Sequence, residues 1–241
     1  GMVMNLPERD KHGHSIKYLK ARLAVCFGGR VAEEVIIGKR YELVEQLGRG
    51  HFSIVWKVKE NKNSEKECTK AIKIQKSAKD YRLSAYDELY IHQHLKKNKP
   101  QNQNSNYINL LEHHFEHIVN NSKHLCFVFN IMENNLHNLL SSESRLTLDE
   151  TSKLAYEMLC GLEYIHSCGI IHSDLKPDNI LIKKDGDFYT SQIADFGTAC
   201  IIGDKSSFYL QTLHYRAPEI ILQYKQFDHK IDIWSLGCIL Y

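Results

Sequence analysis

The chain has 241 residues, 43% hydrophobic and 25% charged, which is the balance of a soluble globular protein with apolar material for one large domain or two modest ones. Its net charge of +2 gives no electrostatic case for a nucleic-acid partner, and no apolar run reaches membrane-spanning length. Fourteen histidines suggest a metal, but no H-E-x-x-H and no Cys/His pair at zinc spacing occurs, and the seven scattered cysteines read as buried free thiols of a reducing, cytoplasmic or nuclear compartment.

Residues 5–15, NLPERDKHGHS, are polar and turn-like. From Ile16 to Ile37 the apolar spacing predicts two short helices around Gly28-Gly29, with Gly38 ending the second. From Tyr41 the period changes: YELVEQLGRG, SIVWKVKE and CTKAIKIQ read as three antiparallel strands. SAYDELYIHQHLKK has helical period, and residues 96–106, KKNKPQNQNSN, read as a polar loop. YINLLEHHFE and LCFVFNIM flank a hairpin turn at residues 117–124. LDETSKLAYEMLCGLEYIHSC is a second long helix, with Thr147 as N-cap and Glu150 at the capping-box position. The reading is α+β: a β-rich lobe, then a helical one, divided near residues 132–135.

Three segments carry chemistry. In residues 47–55, LGRGHFSIV, Gly48 and Gly50 at a strand-to-strand turn let backbone amides approach a phosphate, although a plain hairpin needs the same residues. Lys73 in AIK stands on an apolar strand, where an ammonium is costly without an anionic partner; Glu88 or a phosphate would supply one, and an edge-strand lysine facing solvent fits the period as well. In residues 170–182, IIHSDLKPDNILI, the polar groups of Asp174, Lys176, Asp178 and Asn179 crowd a loop that Pro177 stiffens, between apolar runs. Burying such a cluster without a task leaves unpaired charge, so it reads as a site. QIADFGTA then sets Asp195 after an apolar strand, with Gly197 allowing a sharp turn; an Asn and an Asp offer the hard oxygens that Mg²⁺ prefers.

In this order, with HYRAPE at residues 214–219 and DIWSLGC at 232–238, the segments resemble the protein-kinase signature set across residues 40–241. The resemblance implies a two-lobed kinase fold with a small lobe at 40–133 and a large lobe at 134–241, using ATP and Mg²⁺ to phosphorylate serine or threonine of a protein substrate. It implies that Leu47, Gly48, Gly50, Phe52, Ser53 and Val55 cover the nucleotide, that Lys73 holds its phosphates while paired with Glu88, and that Val55, Ala71 and Leu181 sandwich the adenine. Phe129 would be the gatekeeper, with the backbones of Asn130 and Met132 as hinge contacts. Asp174 would orient the substrate hydroxyl, Lys176 contact the γ-phosphate, and Asn179 and Asp195 hold Mg²⁺. GHFSIVW, SAKDYRLSAYDE, HSDLKPDNILI and the pairing of DFGTAC with LQTLHYRAPE are similar to SR-protein kinases, which implies Arg/Ser-rich substrates.

The sequence departs from the kinase pattern in three places. Ser173 replaces the arginine of H-R-D, so the usual anchor for a phosphorylated activation loop, here bearing Ser206, Ser207 and Tyr209, is absent. His92 stands where the family prefers an apolar residue, which would loosen the helix carrying Glu88. IDIWSLGCILY is apolar on nearly every face, as suits a helix buried on all sides, yet the chain ends there and the large lobe reads as incomplete. Ahead of the kinase segment, LPERD and GGRVAEE in residues 1–38 resemble the peptidase domain of FtsH-type zinc metalloproteases, without its zinc ligands; His12 and His14 cannot replace them. A seam is expected near residues 38–40. The alternatives to an active kinase are a catalytically silent nucleotide-binding scaffold and an artefactual fusion with a protease remnant. Oligomeric state is not legible.

Overall fold

The computed structural model describes residues 41–50, 52–60, 68–98, 103–119, 121–142, 145–186, 188–203, 210–224 and 226–241. The expected helices of residues 16–37, the Gly38 cap, the seam, Cys26 and the activation-loop residues Ser206, Ser207 and Tyr209 lie outside them.

Five antiparallel strands build the first lobe: β1 (Tyr41–Arg49), β2 (Ser53–Glu60), β3 (Cys68–Gln75), β4 (His113–Val119) and β5 (Ser122–Asn130), in the order β1-β2-β3-β5-β4. Alternation decides its two faces. Ile54, Trp56, Val58, Ile72, Ile74, Cys126 and Val128 form one core with Tyr41. The opposite face follows from the register, Val55↔Lys73↔Phe127 and Lys57↔Ala71↔Phe129. Helix α1 (Lys79–Asn98) covers part of that face, packing Ala85 and Leu89 on Leu125, Phe127 and Phe129.

The second lobe is organised by α3 (Leu148–Ser167), which follows the two-residue strand β6 (Asn134–Asn135) and the short α2 (Leu136–Ser141). The expected capping box is present: Glu150 N–H donates to Thr147 Oγ1 and Thr147 N–H donates to Glu150 Oε2. Met158, Leu162 and Ile165 of α3 pack against Ile170, Leu175, Ile180 and Ile193. Those residues belong to β7 (Ile170–Ile171), the loop after it, β8 (Ile180–Asp185) and β9 (Phe188–Ile193). β10 (Cys200–Ile201) pairs with β7, and α4 (Pro218–Ile221) and α5 (Lys230–Leu240) follow.

Several expectations need correction. YINLL is not strand: β4 starts only at His113, and Ile108 makes a single parallel bridge to Ile193 instead. α1 runs on to Asn98 and a 3₁₀ turn begins at Gln103, so the polar loop is shorter than its composition suggests. The hairpin is tight, with Asn121 at φ 61° supplying the left-handed turn residue that asparagine tolerates. Of the described cysteines only Cys126 is fully buried; Cys68, Cys160, Cys168, Cys200 and Cys238 are half-buried, though all are free. The apolar helix α5, by contrast, is left partly uncovered as expected: Ile231, Asp232, Ser235 and Leu236 face inward, while Ile233, Trp234 and Leu240 are exposed.

Candidate active site

Lys73 lies on β3, the middle strand of five, which excludes the edge-strand reading. Its ammonium donates to Glu88 Oε1 at 2.7 Å and to Asp195 Oδ1 at 2.8 Å, so one cation joins the sheet, α1 and the segment after β9. Gln75 Nε2 donates to Glu88 Oε2 at 2.9 Å and fixes the second carboxylate oxygen. Burial disfavours the charge on Lys73, yet the carboxylates of Asp195 and Glu88 together hold its pKa well above the ordinary lysine value. The Lys73 ammonium keeps the Asp195 carboxyl far below the usual range, whereas burial pushes Glu88 up against the pull of Lys73.

The expected turn is present: Ala199 N–H donates to Phe196 O at 3.1 Å and closes it through Gly197 and Thr198. Asp195 itself takes the left-handed conformation, φ 64°. Gly197 is needed for space: a Cβ there would sit 3.2 Å from Asp195 Oδ1, 3.6 Å from Glu88 Oε2 and 3.7 Å from Lys73 Nζ.

The loop between β7 and β8 is hung from one buried carboxylate. Asp232 of α5 accepts the backbone N–H of His172 at 2.8 Å and of Ser173 at 2.9 Å, with Ser173 at φ 61°. His172 Nε2 donates to Ala194 O at 3.0 Å, which leaves Nδ1 to accept from Asp174 N–H. Asp174 is then held on every side: Lys176 Nζ donates to Oδ2 at 2.7 Å, and Thr212 donates to Oδ1 through both N–H (3.0 Å) and Oγ1 (2.7 Å). Asn179 Nδ2 donates to the Asp174 carbonyl at 2.8 Å, and Lys176 Nζ reaches Thr212 Oγ1 at 3.2 Å. The Asn179 carbonyl accepts from Ala194 N–H at 2.9 Å, which ties that asparagine to the residue before Asp195.

The remaining expected positions lie on the strands around this centre. Gly48 pairs opposite Val55, and Gly50 N–H closes the turn onto Ser53 O at 2.9 Å, with no described atom within 4 Å of where a Gly48 Cβ would be. Leu47 and Phe52 are exposed at the turn, and Ser53 is buried as β2 begins. Val55, Ala71 and Leu181 are half-buried, the first two on the Lys73 face of the sheet. Asn130 ends β5: Lys70 Nζ donates to its side-chain oxygen at 2.8 Å and Asn109 Nδ2 to its carbonyl at 3.2 Å. Met132 is half-buried in the link to β6.

Sequence reasoning assigned nothing to Thr212, Gln211, Asp232 or Asn109. The first three lay within quoted motifs, but the bonds that tie them to the catalytic loop and to α5 span 20 to 60 residues in sequence, and no local spacing announces them. His92 does not open the site. Its ring packs edge-on or tilted against Phe127, Phe129 and Phe196, and the Lys73–Glu88 pair stays closed.

A strand lysine clamped between a helix carboxylate and the aspartate of D-F-G, above a loop aspartate bonded to lysine and threonine, agrees with comparison to known proteins. Residues 41–241 match the protein kinase domain. The chain belongs to the protein kinase family. It is similar to mitogen-activated protein kinase hog1 of Botryotinia fuckeliana, 34% identical over 203 residues that make up 84% of this chain and 53% of that protein. The HOG1 kinases of Blumeria graminis and Chaetomium globosum are also 34% identical over 84% of the chain, covering 53% and 52% of their own length. The chain thus spans about half the length of the curated relatives it matches. Protein kinases use ATP and Mg²⁺. No helix among the described residues of this kinase is long and apolar enough to cross a membrane.

Proposed function

We propose that the chain transfers the γ-phosphate of ATP to serine or threonine hydroxyls of a protein substrate. The observation that carries this is the double engagement of Asp174 Oδ1 by Thr212 and of Asp174 Oδ2 by Lys176, beside a closed Lys73–Glu88 pair. In this reading Asp174 accepts the hydroxyl proton, Lys176 balances charge on the transferred group, and Thr212 fixes the carboxylate's rotamer from the segment on which the substrate lies. Leu47, Gly48, Gly50, Phe52 and Ser53 cover the nucleotide; Val55, Ala71 and Leu181 enclose its base against the backbones of Asn130 and Met132.

The residues present fit magnesium. Among the described residues Asn179 Oδ1 and Asp195 Oδ2 carry no hydrogen bond, leaving two hard oxygens for the cation. Mg²⁺ keeps several waters and binds through one or two carboxylates plus substrate phosphates, so these two oxygens are the share the protein would supply. Magnesium supplies charge neutralisation on the phosphates when bound; Lys73 does the same from the protein side.

The lobes divide at the link between β5 and β6 in this reading, giving 40–133 and 134–241. We also assign the SR-protein-kinase-like character and an Arg/Ser-rich substrate from the D-F-G-T-A-C and Q-T-L-H-Y-R-A-P-E stretches, a cytoplasmic or nuclear location, and a ligandless metalloprotease remnant in residues 1–38. The filled and paired site speaks against the silent-scaffold alternative. The test is phosphotransfer from labelled ATP to an Arg/Ser-rich peptide and to a mitogen-activated-kinase-type peptide, with Asp174→Asn as control. Transfer that Asp174→Asn abolishes is expected; ATP binding with no transfer to either peptide refutes the reading.

A further inference from the structure

Among the described residues nothing lies within 4 Å of a Cβ placed on Gly48, and nothing nearer than 3.6 Å of one on Gly50. The described ring contact between this turn and α1 is made by Phe52. Phe52 is 45% exposed, yet its carbonyl accepts Lys76 N–H at 2.9 Å, extending the β2–β3 ladder past its last pair. Its ring meets the Tyr81 ring edge-on, with centroids 5.3 Å apart at 68°. Lys76 Nζ stands 5.8 Å from the centroid of the Tyr81 ring. Tyr81 lies in the first turn of α1, and Glu88 is seven residues on, two turns later on the same side of the helix. One helix face thus presents both the ring that touches the loop tip and the carboxylate that holds Lys73.

We propose that Tyr81 is a positioning residue for the phosphate-covering loop: it fixes Phe52 through ring contact, so that the loop tip and the Glu88 helix move as one. The proposal rests on the kinase reading. An edge-to-face pair is favourable through the ring quadrupoles and needs no phenol hydroxyl, so the ring and not the hydroxyl carries the effect. A tip held over the nucleotide before it binds lowers the ordering cost of binding, and the gain appears in affinity for ATP more than in turnover.

The experiment measures KM for ATP, kcat and fluorescent-nucleotide affinity for the whole chain and for Tyr81→Ala, Tyr81→Phe, Phe52→Ala and the double variant. Tyr81→Ala is expected to raise the ATP KM by about three- to tenfold, the worth of one aromatic pair, with kcat within about twofold. Tyr81→Phe restores the wild-type KM, and the double variant is no weaker than Phe52→Ala alone. An unchanged KM in Tyr81→Ala overturns the proposal, as do losses that simply add in the double variant. Where Tyr81→Ala does not fold, Tyr81→Leu keeps an apolar side chain in the turn and is read by the same criteria. Failure of the unaltered chain to bind ATP sinks the kinase reading itself, and it shows in every variant alike rather than in the Tyr81 variants alone.

Discussion

His92→Leu should gain stability relative to the wild type as the solution is acidified. The imidazole is 1% exposed; Nδ1 accepts Leu111 N–H at 3.4 Å, which puts the proton on Nε2, and Nε2 has no hydrogen-bond partner. Burial, with the nearby charges of Lys73 and Lys96 against that of Asp195, lowers its pKa from 6.5 to about 3. The unfolded chain therefore binds a proton that the folded chain refuses between those two values. Stability from this group is present above the unfolded pKa and is lost as pH falls. With those two pKa values, linkage gives a loss of about 2 kcal/mol on going from roughly pH 7.5 to pH 5. Leucine does not titrate there; it removes the orphan Nε2–H but strands the buried Leu111 N–H, so these two pH-independent effects roughly cancel and the pH-dependent difference is what the variant reads.

Denaturant midpoints for wild type and His92→Leu across that range check the reasoning. Glu88 sits 3.9 Å from His92 Nε2 and itself titrates upward, but it is common to both proteins, so the difference isolates the imidazole. The gap between the two curves should widen by about 2 kcal/mol toward acid. Parallel curves would show that His92 takes its proton in the folded state, against Glu88, and would refute the neutral assignment.

Gly197→Ala should weaken magnesium-dependent activity about tenfold or more, read as a higher Mg²⁺ requirement, because its Cβ would lie 3.2 Å from Asp195 Oδ1. Glu157→Ala should destabilise by about 2–3 kcal/mol in denaturant titration, since it strands the buried Ser191 N–H and hydroxyl that donate to Glu157 at 2.6 and 3.0 Å. Thr147→Ala should cost about 1 kcal/mol through the lost capping box, with ATP affinity unmoved. Phosphatase treatment should leave activity within about twofold, because Ser173 presents no cation to a phosphate; a loss beyond tenfold would refute this.

What the sequence disclosed depended on how local the cause was. Thr147 and Glu150 are three residues apart, so the capping box was legible, and alternation alone placed β1, β2 and β3. Lys73 was ambiguous because period cannot tell an edge from a centre; only the entry of β5 beside β3 settles which it is. The strand expected from Tyr107 failed because Asn109, Leu110 and Leu111 spend their backbone bonds elsewhere, Asn109 N–H on Ile193 O and Leu111 N–H on His92. Gly197 was legible as a turn residue, and Ala199 N–H on Phe196 O closes that turn; what stayed hidden is that the positive φ falls on Asp195 and that Gly197 also makes room for the ion cluster.

Asp232 and Gln211 show how the site stays assembled without a cationic anchor at position 173. Helix α5 holds the loop of Asp174 through Asp232, whose Oδ2 also lies 2.9 Å from His166 Nε2. The same helix holds Gln211, whose Nε2 donates to Ile231 O and Ser235 Oγ, each at 2.8 Å, while its Oε1 accepts Ala217 N–H. Gln211 N–H in turn donates to Ser173 O at 3.0 Å, and the Ser173 hydroxyl donates to Thr198 O. Asp174 and Thr212 are thus the next residues along two strands of chain already fixed to one helix and to each other, and their 2.7 Å contact follows from that frame. An arginine at 173 would place a charge among these carbonyls and backbone donors, where Ser173 is wholly buried, and would need an anion to balance it. Serine removes that need, and neutral hydrogen bonds take over the task of joining the catalytic loop to the segment that follows it.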